Sequence, residues 1–288
     1  MGDKIRFFPL DVMYRIIDEK PVIHLFGRTI DNKQICILYE DFEPYFYAIQ
    51  KKGSDITEQL KNFKITRNDQ TYSITKVEAV KKKYFGKDVD AVKVFTKLPR
   101  DVPVISNELR NLSSIESINE NDILFARRFL IDKNIIPLTL YEVEGTFGPQ
   151  NLKVPAFKAD KIEPFGTETF LKPRILSIDI ETYTPLYKEI APEKNPIIML
   201  SLYAKDFQKV FVWKRFKTDL DYVEFVDSEA ELIEKFKEVI ENYKPDILTG
   251  YFSDGFDLPY IKTRAVKYKT KLDLGLDFSE LKVSKGKV

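Results

Sequence analysis

Two carboxylates interrupt a stretch that otherwise reads as a buried strand: Asp179 and Glu181 in SIDIETY, residues 177 to 183. Side chains of an extended chain alternate, so RILSIDIETY sorts into two rows. One holds Ile175, Ser177, Asp179 and Glu181, the other Leu176, Ile178, Ile180 and Thr182. Both acids therefore face one way, within reach of a single shared cation, while the opposite row is apolar and packs. The spacing alone is not diagnostic, because DVD at 88 to 90 and DLD at 219 to 221 repeat it in a turn and a polar loop, where acids are simply solvated. A third carboxylate comes from GYFSDGFDLPYIKTR, 250 to 264, which runs from a strand through a polar turn into an amphipathic helix carrying Asp257 in its first turn. Asp at that position also reads as a helix cap, favoured by the free N–H groups and the macrodipole.

The elements around these acids suggest two domains, for which 288 residues suffice. With 43% hydrophobic residues, 22 Phe and 15 Tyr, the composition is globular. No apolar run is long enough for a membrane span or signal segment, so a soluble, cytoplasmic protein with no membrane partner is expected. One cysteine, Cys36, excludes an internal disulfide and a Cys-based zinc cluster, and one histidine, His24, excludes a His-rich metal site. Net charge is +1, from 46 basic and 45 acidic residues, so any nucleic-acid contact must be local. KKKYFGK, 81 to 87, and KTRAVKYKTK, 262 to 271, mix basic and aromatic residues and are candidates, although such runs also serve as solvated faces. The 32% charged content, with few Cys and Met, hints at a thermophile.

The first forty residues read as a meander of short strands. Residues 45 to 119 then follow the order β-α-β-β-α-β, the split βαβ pattern of ferredoxin-like and RNA-recognition modules. NDILFARRFLIDKN, 121 to 134, predicts an amphipathic helix capped by Asn121 or Asp122. Residues 135 to 172, rich in Pro and Gly, suit a linker, and a domain boundary fits there. Beyond it the acid-bearing strand leads to a hairpin. A core-facing helix over 228 to 243 follows, with a capping box in Ser228 and Glu231, then a strand and the Asp257 helix, which makes a mixed sheet with helices on its faces.

An acid-x-acid strand followed roughly seventy residues later by strand, Ser-Asp-Gly-Phe-Asp and helix resembles the proofreading 3′–5′ exonucleases. Together with EPYFYA, LPRDVP, FARRFLIDKNIIP, PIIM and DLPYIKTRA in the same order, it resembles archaeal, and specifically crenarchaeal, family B DNA polymerases over essentially the whole chain. DIET matches their first exonuclease motif and YFSDGFD their second. The resemblance implies an α/β protein with two domains. Residues 1–134 would be an α+β template-binding and uracil-recognition domain with the ferredoxin-like part. Residues 135–288 would be a ribonuclease H-like 3′–5′ exonuclease domain lacking its third motif. It further implies that Asp179, Glu181 and Asp257 bind two divalent ions, Mg or Mn, and carry the hydrolysis. Tyr14, Pro44, Pro99, Val102, Pro103, Ile123 and Phe125 would wall a uracil pocket, with LPRDVP as a loop stiffened by two prolines, and Phe252 and Arg128 would contact DNA. Implied partners are single-stranded template, the primer 3′ end and, through a more C-terminal part, a sliding clamp.

Two positions depart from the family pattern, and two of its segments have no counterpart. Phe252 stands where the second motif normally has Asn, and Ser106 where the family often has Arg at the pocket rim. Neither a Tyr-x-x-x-Asp third motif nor the polymerase palm has a counterpart before Val288, so the chain is expected to be an N-terminal piece of a longer DNA-directed DNA polymerase used in replication. The alternative is a non-catalytic module that senses uracil and binds single strands, with a degenerate exonuclease domain.

Overall fold

The computed structural model describes residues 2–148, 151–166, 170–186 and 188–281. It divides into two compact units, Met1–Pro149 with Pro155–Phe170, and Gln150–Val154 with Leu171–Val288.

The first unit opens on the expected meander, β1 (Asp3–Ile17), β2 (Lys20–Thr29) and β3 (Gln34–Tyr39). Next come β4 (Tyr45–Gln50), α1 (Thr57–Lys61), β5 (Lys64–Arg67), β6 (Gln70–Tyr84), β7 (Lys87–Thr96), α2 (Asp101–Leu109), β8 (Ile115–Asn119) and α3 (Phe125–Asp132). The sheet order β5-β6-β7-β4-β8, antiparallel throughout, is the split βαβ arrangement with one additional edge strand. Alternation explains its two faces. Phe46, Ala48, Val92 and Val94 pack against Leu60 of α1 and Ile105 and Leu109 of α2, whereas Tyr45, Tyr47 and Phe95 belong to a second core with Phe125 and Phe129 of α3.

Residues 135 to 172 are not a linker. They hold β9 (Tyr141–Gly148) and β10 (Ala156–Pro164), which close the meander into a barrel of order β1-β2-β3-β10-β9. β9 pairs antiparallel with β1, and β10 pairs parallel with β3 through Ala156↔Cys36 to Lys158↔Leu38. Tyr141, Val143 and Phe157 enter the barrel core beside Phe7, Ile23, Leu25 and Ile37, so the compact first unit runs to Phe170 rather than ending at residue 134. Two helix starts also shift. The 121–134 helix begins only at Phe125, because Asn121 is committed elsewhere: its Oδ1 accepts from Arg110 Nη2 at 3.2 Å and its Nδ2 donates to Ser106 Oγ at 3.3 Å. In LPRDVP the helix starts at Asp101, whose Oδ2 accepts from Leu98 N at 3.0 Å, so Val102 and Pro103 sit in the first turn of α2 and not in a loop.

The second unit has a mixed five-stranded sheet. Its strands are β11 (Ile175–Thr182), β12 (Ile197–Ala204), β13 (Phe207–Val212), β14 (Val223–Phe225) and β15 (Ile247–Thr249), in the order β14-β13-β12-β11-β15. Helices α4 (Glu229–Tyr243) and α5 (Asp257–Tyr268) pack Leu232, Ile233, Phe236, Leu258, Tyr260 and Ile261 onto Leu176, Ile178 and Ile180 of β11. The N-cap half of the capping box forms as the sequence predicts, with Ser228 Oγ accepting from Glu231 N at 3.1 Å, while Glu231 Oε2 accepts from Asp227 N at 2.6 Å instead of from Ser228 N. Among the described residues no helix is long and apolar enough to cross a membrane.

A buried charge cluster joins these helices. Glu229, at the start of α4, accepts from Ile197 N at 2.8 Å, Arg264 Nε at 2.6 Å and Nη2 at 2.5 Å, and Tyr268 Oη at 2.7 Å. Arg264 Nη1 also donates to the carbonyls of Pro192 and Glu193 at 3.0 and 3.2 Å. Removing one charge strands the other in the interior. Glu229→Gln is therefore expected to destabilise the second unit by roughly 3–5 kcal/mol, and Glu229→Leu/Arg264→Met to recover most of that loss, as read by urea unfolding.

Candidate functional site

β11 presents its acids as the alternation predicts. Leu176, Ile178 and Ile180 are buried, while Asp179 and Glu181 are exposed on the opposite face. A register shift against β12 falls between Glu181 and Thr182, because Glu181 pairs with Met199 and Thr182 with Ile197, leaving Ile198 bulged. Such bulges increase local twist, here at the second acid.

The segment bearing Asp257 is pressed against the same strand. A Cβ on Gly250 would come within 2.4 Å of the Ile178 carbonyl oxygen, so only glycine permits this approach. β15 ends at Thr249, and its pairing with β11 stops there, at Ser177↔Thr249. The Ile180 N–H beyond that end lacks a ladder acceptor on this side, and Asp257 Oδ1 supplies one at 3.1 Å. Only 2% of Asp257 is exposed, and burial pushes its carboxyl above the ordinary aspartate range, with nearby Asp179 adding to the rise. The Ile180 N–H and its own N–H pull the other way. Asp257 and Asp179 are thus close enough to repel. Among the described residues, however, no three acidic, His or Cys side chains converge as a metal-holding group. Cys36 and His24 lie buried in β3 and β2.

Between β15 and Asp257 the chain turns through Tyr251 and Phe252, both exposed, Phe252 by 72%. Phe252 has φ of +57°, in the left-handed region that Asn enters more readily than an aromatic residue. Its carbonyl accepts from Gly255 N and Phe256 N at 3.0 and 2.9 Å, and its ring lies over Gly255, where an added Cβ would meet it at 2.3 Å.

The residues expected to wall a pocket are brought together in the first unit. Tyr14, Pro44, Pro99, Val102, Pro103, Ile123 and Phe125 all line one cavity of about 450 Å³. Tyr14 and Phe125 meet edge to face with ring centroids 5.2 Å apart. Arg128 lines the same cavity and is 6% exposed. It pairs with Glu120 Oε2 at 2.5 Å, lies 4.9 Å from the centre of the Tyr45 ring, and leaves its buried Nε without a partner. Ser106 is fully buried and bonded to Asn121 rather than open at a rim. Sequence reasoning did not assign Met13, Tyr45, Arg100, Asn121, Asp122, Leu124 or Ala126 to the lining, although each lies within two residues of one that it named. Of the two basic runs, that at 262 to 271 loses Arg264 to the buried pair with Glu229.

The fold agrees with the comparisons. A family profile described as "DNA polymerase family B, exonuclease domain" matches residues 116–287, and the chain belongs to that family. It is 38% identical over 277 residues to a DNA polymerase of Pyrococcus glycovorans, which covers 96% of this chain and 31% of that protein. It is 35% identical over 277 residues to a DNA polymerase of Thermococcus kodakarensis, covering 96% of this chain and 14% of that one. The chain thus spans a third or less of the length of these relatives. The fold matches the structure of the family B DNA polymerase from the hyperthermophilic archaeon Pyrobaculum calidifontis with a TM-score of 0.79 at 24% identity, over 98% of this chain and 35% of that one.

Two measurements follow from this geometry. Phe252→Asn removes an aromatic residue from a left-handed backbone and is expected to stabilise the chain by about 1 kcal/mol in thermal unfolding. Because the Asp257 carboxyl is raised in the folded chain, its contribution to stability is present below the ordinary aspartate range and is lost as pH rises through the folded value. Without divalent cations, Asp257→Asn is expected to keep the acceptor for Ile180 N–H. It should match the parent at pH 3 and melt a few degrees higher at pH 7.

Proposed function

We propose that this chain is the template-binding and 3′–5′ exonuclease region of a DNA-directed DNA polymerase, with Asp179, Glu181 and Asp257 as its cation-binding carboxylates and the first-unit cavity as a uracil pocket. The observation that carries the reading is the bond from Ile180 N to Asp257 Oδ1, which ties the second exonuclease motif to the strand bearing the first. All-oxygen ligands suit Mg or Mn, and the ionised pair Asp179 and Asp257 calls for positive charge to offset its repulsion. Bound divalent cations, two in this family's reading, supply Lewis-acid charge at the scissile phosphodiester. The chain's own part is positional. β11 directs Asp179 and Glu181 to one face, the Ile180 N–H holds the Asp257 carboxylate in orientation, and exposed Tyr251 and Phe252 offer rings to the bases of a frayed 3′ end.

Discrimination of uracil rests on exclusion. Uracil lacks the C5 methyl of thymine, and Val102 and Pro103, held in the first turn of α2, are rigid enough to refuse that methyl. The unpartnered Arg128 Nε–H is a donor suited to a base carbonyl, which uracil offers where cytosine presents an amino group. Arg128 thus acts within the cavity, where its burial leaves it little access to a strand on the surface.

A second reading, a binding module with a degenerate nuclease, is favoured by Phe252 in place of Asn and by the lack of a third converging acid among the described residues. The two are separated by digestion of 3′-labelled single strands in Mg or Mn, comparing this chain with a longer one that includes a Tyr-x-x-x-Asp segment. The enzyme reading expects weak activity here, strong activity in the longer chain, and a loss on the order of 100-fold on Asp179→Ala. Undiminished digestion by Asp179→Ala overturns it. For the pocket, binding to strands that differ by one uracil or thymine is expected to favour uracil by about 10- to 200-fold, the worth of one methyl group. Val102→Gln should erase the preference, and equal affinity of the unsubstituted chain for both strands would refute the pocket.

A further inference from the structure

The hairpin joining β6 to β7 runs on beyond the sheet that carries it. β4 pairs with β7 only over Ala91–Phe95, and β5 with β6 only over Gln70–Ser73. Lys81–Tyr84 and Lys87–Asp90 therefore pair with each other alone, as a two-stranded ribbon about 13 Å long at ~3.4 Å per residue. Its turn is Phe85-Gly86, with φ of +47° and +79°. Hairpins with both central residues at positive φ favour Asn-Gly. A phenylalanine in the first position costs backbone energy, and packing returns little of it. Phe85 is 89% exposed and meets Tyr84 edge to face, with ring centroids 4.6 Å apart. Lysines alone suffice to keep a free strand edge from pairing with other chains, so that task does not explain an aromatic tip.

The register divides charge between the ribbon's faces. Lys81 lies opposite Asp90 and Lys83 opposite Asp88, which balances one face. Lys82 lies opposite Val89 and Tyr84 opposite Lys87, so the other face of residues 81 to 90 is positive, aromatic and without an acid. Lys82 Nζ continues this face inward, 4.4 Å from the centre of the Tyr47 ring on β4. Exposed rings flanked by ammonium groups match what an unpaired nucleotide strand presents, a flat base followed by a phosphate at each step.

We propose that the Tyr84–Phe85 tip, with Lys82 and Lys87, is a binding site for single-stranded DNA, in which Phe85 stacks on an unpaired base and the lysines take the adjoining phosphates. The site shares no residue with the carboxylates or with the uracil cavity, and it stands if either of those readings fails.

The test uses the whole chain, EDTA, and a uracil-free oligodeoxyadenylate containing 2-aminopurine, so that neither cations nor the uracil cavity contribute. Asn is at ease at this turn, so Phe85→Asn keeps the hairpin and is expected to raise Tm. Affinity should nevertheless fall about 5- to 150-fold, the stacking of one base, and 2-aminopurine quenching should be lost. Lys82→Gln and Lys87→Gln should each reduce the slope of log K against log salt by about 0.7. An unchanged affinity in a folded Phe85→Asn chain overturns the proposal, as does equal binding of an abasic strand. Sedimentation that shows self-association abolished by Phe85→Asn, with DNA binding intact, assigns the tip to contacts between copies of the chain and overturns it as well.

Discussion

The second unit depends on a single carboxylate. Glu229 opens α4, and its two oxygens take donors from the first residue of β12 and from two side chains of α5. Three elements are thereby fixed to one another at a point where Glu229 and Arg264 are buried and an unmet donor would be costly. Arg264 stands seven residues after Asp257, two helical turns, and at 3.6 residues per turn the two lie on nearly the same face of α5. Locking Arg264 sets both the rotation of that helix and its position along its axis. The clamp thus places Asp257 against Ile180, and one acid of the proposed site is held in place by an acid outside it.

Local rules made much of this legible. Strict alternation in ILSIDIET assigned the faces of β11, and Ser228 with Glu231 marked the start of α4. The order of elements between Tyr45 and Asn119 predicted a split βαβ sheet because each of its strands is paired within that span. Barrel closure was not legible. β9 finds β1, and β10 finds β3, across more than a hundred residues, and nothing in YEVEGTFG or AFKADKIEP names a distant partner. The Pro and Gly between them therefore read as a linker. Glu229 was equally opaque, since an acid in a first helical turn is expected on electrostatic grounds alone. Asn121 misled in the opposite way: a good cap by type, it was claimed by Arg110 and Ser106.

Of the three exposed phenylalanines held at positive φ among the described residues, the two most exposed, Phe85 and Phe252, are poor choices for their backbones and poor choices for solvent. Sequences settle local conflicts of this kind when stability is the only requirement, so their persistence points to work done at the surface. Each also has a glycine close by, Gly86 at the same turn and Gly255 beneath the ring, so the neighbouring backbone is shaped to leave the aromatic group standing clear.

The position of the ferredoxin-like module within the barrel bears on how the chain folds as it is made. β1, β2 and β3 emerge from the ribosome long before β10, whose first residue follows the end of β3 by more than a hundred positions. At 5–20 residues per second that interval lasts roughly 6–20 s. The meander must wait through it with an open edge, while each strand of the module between Tyr45 and Asn119 finds its strand partners within that span. Its first and last strands are neighbours, with Tyr47 paired to Asn119, so once folded it returns the chain close to where it left the meander. An intervening length that would otherwise have to be closed as a long flexible loop becomes a short one, and about 1 kcal/mol of the entropic cost of bringing β9 to β1 is removed before β9 exists. The module is in this sense a clasp, completed first, on which the barrel closes.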